Sequence, residues 1–396
     1  MSEIKVNSIK GVGASTAAIT VNNTDGTCTA NITNRTNKRL TINGAMTIAQ
    51  RGSSSTTSGY ATVDRFAVTY GGTDEAPTQA QVDVGSGTTP YNLGFTKALR
   101  VTNGNQTSGA GAADYIEIGH RIEAQDIRNS GWNYLSSSSF ITLSFYVKSS
   151  VAQVFYGYLT TRDGTRKTYP FSTGSLSADT WTKVTKVIAG NSGLTFDNDN
   201  GDGLDIFIDP YYGTDYTNNS VSLDQWNAHS AGDTFPDNTT TWYTTNDATF
   251  EITGVQLEVS DHATDFEHRS FADELKSCQR YYQQISRSSG ANSVNGTFAA
   301  GTCNTNAGNG GILQVMVRFE TKMRAVPTMT DSGTFSFHVS GVNVADTSTA
   351  YSQAYDDGVK ITATQTAFIS TSGFCGELIS KYSDTSTATI KADAEL

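Results

Sequence analysis

The sequence predicts an all-β protein, and three observations carry that expectation. Charged residues make up only 16% of the chain, so its polarity comes from Ser, Thr, Asn and Gly. β-branched and aromatic side chains suit a pleated, half-buried surface, and Thr is abundant alongside 18 Tyr and 18 Phe. Apolar and polar residues also alternate at period two in segment after segment, as in strands with one buried and one wet face. One convincing helix interrupts the pattern, over residues 270–283. The length of 396 residues accommodates two or three domains.

Residues 1–52 are thin in hydrophobics. Ile4 and Val6, Ile19 and Val21, Ala30 and Ile32, Leu40 and Ile42, and Met46 and Ile48 form short apolar pairs. Turn signals at Thr24-Asp25-Gly26 and Asn43-Gly44 separate brief strands. So little apolar surface cannot fold alone, so this region is expected to oligomerise by winding identical copies together. A disordered arm is the alternative.

Residues 53–269 carry clear strands. Phe66, Val68 and Tyr70 alternate, as do Leu99 and Val101, then Ile116, Ile118 and Ile122. Ile141, Leu143, Phe145 and Val147 oppose Thr142, Ser144, Tyr146 and Lys148; Leu204, Ile206 and Ile208 oppose Asp205, Phe207 and Asp209. Seven or more such strands with long connections predict a jelly-roll β-sandwich. In the last strand Phe250 and Ile252 share one parity, while Val255, Leu257 and Val259 share the other. A strand changes face only by gaining a residue, which predicts a β-bulge at Thr253-Gly254.

The helix follows. Ser270 stands at the N-cap, with Asp273 three residues on, and Phe271, Leu275, Cys278 and Tyr282 recur on one face. Residues 284–396 return to alternation in Leu313, Val315, Val317 and Phe319, in Phe335, Phe337 and Val339, and from Ala388 to Leu396. They predict a smaller β-sandwich, placed as a distal tip, with the helix as the joint.

A net charge of −11 disfavours nucleic-acid binding, which needs Lys and Arg against phosphates. No run approaches the roughly 18 apolar residues of a membrane span, so no membrane insertion is expected, and Met1 to Lys5 opens no hydrophobic leader. Cys28, Cys278, Cys303 and Cys375 lack metal-site spacing and are expected as buried free thiols. Asp197, Asp199, Asp202 and Asp205 form the densest set of oxygen ligands. Calcium is the cofactor such a set could hold. Gly201 and Asp202, however, reverse the EF-hand order and no Glu closes the loop, so an ordinary acidic loop is favoured and no cofactor is required.

None of the five histidines pairs with another at metal-ligand spacing. Carboxylate pairs for glycoside cleavage can be drawn anywhere among 38 acids, so the chain is not expected to be an enzyme. Aromatics are better ligand candidates, because sugar rings stack on Tyr and Trp faces. Tyr211, Tyr212, Tyr216, Trp226, Trp242 and Tyr243 crowd two loops, with core or interface packing as the competing reading.

Several motifs occur in order: Val63 to Phe66 (Val-Asp-Arg-Phe), Ser144 to Ser150, Ile252 to Glu258, Asp265 to Ser270 (Asp-Phe-Glu-His-Arg-Ser), and Cys278 to Tyr282 (Cys-Gln-Arg-Tyr-Tyr). Together they cover about residues 60–283. They resemble bacteriophage tail-fibre and virion-appendage proteins of marine phage type with a carbohydrate-binding-module-like jelly roll. The opening Ser-Glu-Ile-Lys-Val-Asn-Ser-Ile and the stretch Arg324 to Thr328, with Val326 inserted, are similar to elements of the same proteins. The resemblance implies a virion component, a homotrimer attached to other virion proteins through residues 1–52, with a host-surface glycan as partner. It assigns Phe266 and His268 to the turn before the helix. A capsid head fibre or decoration protein, a free lectin and a polysaccharide depolymerase are the alternatives.

Overall fold

Phe140–Ser149 is an inner strand of its sheet, and every other residue in it is a large apolar group that needs a dry side. In the computed structural model it pairs with Thr182–Ala189 and with Thr249–Glu258, inside a six-stranded sheet. The model describes residues 8–9, 12, 19–21, 28–30, 38–288, 297–305, 311–339, 342–345, 348–365, 375–380 and 387–396.

The sheet runs Thr182–Ala189, Phe140–Ser149, Thr249–Glu258, Lys97–Thr102, Thr78–Asp83 and Ser54–Ser55. A second six-stranded sheet runs Asn227–Ala228, Lys167–Ser175, Val154–Thr161, Asp202–Tyr212, Tyr115–Glu123 and Ala67–Gly71. All pairings are antiparallel. The facing sides share one core, in which Leu143, Phe145, Leu159, Ile206, Ile208 and Phe250 are all buried. This is the expected sandwich.

The expected bulge is present. Thr253 lies opposite Tyr146 but Gln256 lies opposite Ser144, so one residue is inserted. Gly254 adopts φ +65, and Val255 and Leu257 thereby regain the core face that Phe250 and Ile252 occupy.

From Tyr282 onward the chain forms a seven-stranded sheet and a three-stranded sheet, the latter built from Tyr282–Ser288, Thr387–Asp393 and Thr328–Ser332. Leu313, Val315, Val317, Phe335, Ile361, Leu378 and Ile390 make a separate core between them, the second β-sandwich. Ser8–Ile9, Ile19–Val21 and Cys28–Ala30 form a small antiparallel sheet. Ile4, Val6, Ile32 and the Thr24-Asp25-Gly26 turn lie outside the described residues.

Three expectations need correction. Residues 38–52 belong to the sandwich and not to an N-terminal unit: Met46 and Ile48 are buried, Leu40 N–H donates to Leu257 O at 2.8 Å, and the Arg39 backbone forms an antiparallel β-bridge with Glu258. The helix ends at Gln279, since Tyr282 already begins a strand. Its buried side is Glu274 and Cys278; Phe271 is 64% exposed and Leu275 only half-buried. Short helices at Thr89–Asn92, Ala124–Arg128 and Thr241–Thr244 are too brief to leave a periodic signal. Cys278 is a buried free thiol as expected, whereas Cys375 departs from that expectation in being exposed; both are unbonded.

Candidate functional site

The outward faces of the two large sheets differ from an ordinary wet face. Outside the first, Phe95, Ala98, Tyr146, Trp181 and Phe266 cluster. The lead into the helix covers them: His268 Nε2 lies 3.0 Å from Leu93 O, and the His268 ring sits 5.1 Å from Phe95 and 4.9 Å from Phe266.

Outside the second sheet, neighbouring strands place Glu117, Gly119 and Arg121 beside Asp209, Phe207 and Asp205, and beside Tyr156, Tyr158 and Thr160. Gly119 is small because a Cβ there would come within 2.8 Å of the Phe207 ring. Phe207 lies flat against Tyr158, at 4.7 Å and 19°. Tyr212 Oη donates to Glu117 and meets Tyr158 Oη at 3.2 Å. Thr69 Oγ1 donates to the other Glu117 oxygen. Phe235, from the long loop after the strand, stacks on Tyr156 at 5.3 Å and 17° and is itself fully buried. Tyr115, Tyr156, Tyr216, Glu117, Arg162 and Arg166 remain half-exposed.

Electrostatics on this face are unusual. Asp209 is fully buried and neither oxygen has a hydrogen-bond partner. Burial, reinforced by Glu117, pushes its carboxyl well above the usual carboxylate range. The same desolvation raises the Tyr158 phenol. Farther along the face Arg162 bonds to Asp205 and lies 3.5 Å from Asp202. Burial and the adjoining Asp205 raise the Asp202 carboxyl. Rings interleaved with acceptors and guanidinium donors can stack on and hydrogen-bond a hydroxylated ring.

The six aromatic candidates divide sharply. Trp242 and Tyr243 are 0% exposed and Tyr211 is 3% exposed, so all three are core residues. Tyr211 stacks on Tyr243 at 4.2 Å, and Trp242 Nε1–H donates to Thr249 O at 3.0 Å. Tyr212 belongs to the aromatic face but lies under Phe235. Tyr216 sits at its rim, 5.8 Å from Tyr115. Trp226 donates to Ala189 O at 2.9 Å and flanks Tyr169 at the opposite edge. Tyr156, Tyr158, Phe207, Phe235, Glu117 and Asp209 were not singled out from sequence. The available signal was an aromatic between two aspartates on the side of a strand read as wet.

The acidic loop is not drawn together around a cation. Asp197 and Asp199 are exposed, Asp199 Oδ1 accepting from Gly201 N–H at 2.9 Å, whereas Asp202 and Asp205 face Arg162. Among the described residues no three His, Cys, Asp or Glu side chains are arranged to hold a metal ion. The loop instead touches the C-terminal region, where Arg324 donates to Asn200 O at 2.7 Å.

The motif residues meet in one knot at the joint. Arg65, of Val-Asp-Arg-Phe, is fully buried, pairs with Glu395 and stacks 3.4 Å over the Tyr281 ring. Arg280 donates to Glu123 twice, at 2.7 Å each, and Tyr281 Oη joins it at 2.7 Å. Glu267 accepts both Lys38 and Arg39 N–H at 2.9 Å, and Glu274 holds the Arg39 guanidinium. Tyr282 carries Arg51 over its ring at 3.6 Å. Ser270 Oγ accepts from Asp273 N–H at 3.2 Å, completing the expected cap.

No family model matches the chain, and no curated protein sequence matches it. Solved structures similar to it include the enzymatically active domain of tailspike protein 4 from bacteriophage CBA120, at 9% identity and TM-score 0.30. That match covers 56% of this chain and 21% of the tailspike chain. The N-terminal cellulose-binding domain of a β-1,4-glucanase from Cellulomonas fimi is similar at 12% identity and TM-score 0.26, over 54% of this chain and 98% of that one. A xylan-binding domain from Paenibacillus barcinonensis is similar at 11% identity and TM-score 0.25, over 50% of this chain and 87% of that one.

Proposed function

We propose that this protein is a non-enzymatic, glycan-binding component of a phage virion appendage, and that it binds sugar on the outward face carrying Tyr156. The supporting observation is that face itself. A sheet side turned away from the core carries Tyr115, Tyr156, Phe207, Glu117, Arg162 and Arg166, rings and paired polar groups where small polar residues would suffice. Attachment to the particle and trimer formation are assigned to the N-terminal residues, where Ile9 is 53% exposed and Val12 fully so. The resemblance of the joint motifs to phage fibre proteins supports the virion setting.

A glycan array probed with the parent protein and with Tyr156→Ala tests the sugar site. Binding that is lost in the variant, with unchanged near-ultraviolet circular dichroism, is the expected result; identical binding removes this face from the reading. Release of reducing ends from a bound polysaccharide would replace a binding role with a depolymerase. Imaging of particles carrying labelled copies tests the virion location.

A further inference from the structure

Asp209 lies beneath the aromatic face with both oxygens unpartnered, although it is fully buried. Glu117, on the neighbouring strand, is bonded to the hydroxyls of Thr69 and Tyr212. An uncompensated carboxylate in such surroundings is costly, so burial favours the protonated acid until a cation is brought beside it. Phe235 packs on the rings that neighbour Asp209, stacked on Tyr156, the cross-strand partner of Asp209, and lying 5.3 Å from Tyr212 and 6.1 Å from Tyr158. Its stretch of loop is held chiefly by the loop: Asn218 N–H donates to Phe235 O at 2.9 Å and Thr234 N–H to Tyr216 O at 3.0 Å. Asn238 ties it to the sheet through Tyr212 O at 3.2 Å.

We propose that Phe235 is a removable plug, and that it covers a subsite for a sugar ring bearing a protonated amine. The ring of the sugar replaces the Phe235 ring over Tyr156. The ammonium brings three donors to the level of Asp209 and Glu117, and lies among Tyr158, Tyr212 and Phe207, whose faces favour a cation. An ammonium offsets the cost of ionising Asp209, which burial otherwise drives toward its protonated form, whereas a neutral diol would supply donors but no such charge. The proposal rests on the sugar-site reading above and specifies its ligand class. Because the plug must leave first, apparent affinity is lowered by the fraction of molecules in which it is seated.

The full chain is titrated calorimetrically, at physiological salt, with a β-1,4-linked glucosamine tetramer, its N-acetylated form and cellotetraose. The parent is expected to prefer the amine tetramer by about tenfold or more, about 1.4 kcal/mol. Asp209→Asn is expected to abolish that preference, bringing the amine and cellotetraose affinities to within about twofold of each other. Phe235→Ala is expected to tighten amine binding severalfold, and Phe235→Leu, which keeps apolar contact, serves if the alanine variant is unfolded. Equal affinity of parent and Asp209→Asn for the amine tetramer overturns the amine subsite. If neutral tetramers nonetheless bind through Tyr156, the sugar-site reading stands without it. If no tetramer binds the parent or either Phe235 variant, both fall.

Discussion

At Arg39 the guanidinium is fully buried and is held by Glu274, while its Nε and one Nη find no hydrogen-bond partner. Such a pair contributes little against an apolar replacement, but breaking it leaves a charge stranded. Glu274→Ala is therefore expected to destabilise the protein by about 3–5 kcal/mol, read from the urea midpoint. Asp64 offers a pH signature. Burial pushes its carboxyl up to about 6, against the opposing bonds from Gln50 and the Arg51 charge. The native state then holds a proton between about pH 4 and 6 that the unfolded chain has released, so this group lowers stability as pH rises through that window. Relative to Asp64→Asn, the parent should lose about 2–2.5 kcal/mol between pH 4 and 7, measured by denaturant unfolding at each pH. His120 acts with the opposite sign: burial and Arg65 hold its pKa well below the usual histidine value, so its contribution is lost as pH falls below about 6.5. The comparison with the variant isolates Asp64. The Arg39–Glu274 pair was not legible beforehand, because an acid and an arginine more than 200 residues apart carry no sequence mark of each other.

Among the elements, the strand Thr249–Glu258 and the helix Phe271–Gln279 were the most legible, each for a local reason. Strand parity fixes which residues can share a face, so the switch between Ile252 and Val255 required an extra residue. Gly254 supplies it at φ +65, and a Cβ there would lie 2.8 Å from the Phe95 ring. Gly254→Ala is expected to cost about 1–3 kcal/mol from backbone strain alone, seen as a lower melting temperature. Helix caps are equally local, and Ser270→Ala should cost about 1 kcal/mol in the same assay. Phe271→Ala should change stability by less than about 0.5 kcal/mol, since that ring is largely exposed. The periodicity that placed Phe271 on the buried face was genuine. The N-terminal approach of residues 38–43 took the neighbouring face instead, where Glu274 meets Arg39 and Asn43 N–H.

For the whole molecule, the C-terminus closes the structure. Glu395 pairs with Arg65 and Arg51, Arg121 donates to Leu396 O, and Arg324 donates to Ala394 O at 2.9 Å. Glu395→Ala should strand Arg65, destabilise by about 3–5 kcal/mol and open the joint to limited proteolysis near residue 280. On the proposed reading that the N-terminal residues assemble a trimer, removal of residues 1–37 should leave a folded chain that light scattering finds monomeric while the full chain is trimeric; a monomeric full chain, or a trimer persisting without those residues, overturns that reading. By itself the sequence determined the all-β class, the two sandwiches, the bulge and the capped helix, because alternation, parity and capping depend on neighbours in the chain. Tertiary structure decided which aromatics are core and which form a face. Trp242 and Tyr211 lie in the core between the sheets, Tyr156 lies on the outward face, and a loop some eighty residues away supplies the Phe235 that stacks on it. It also decided that the motifs converge, since long-range burial of charge is a property of the assembled sheets and not of any one strand.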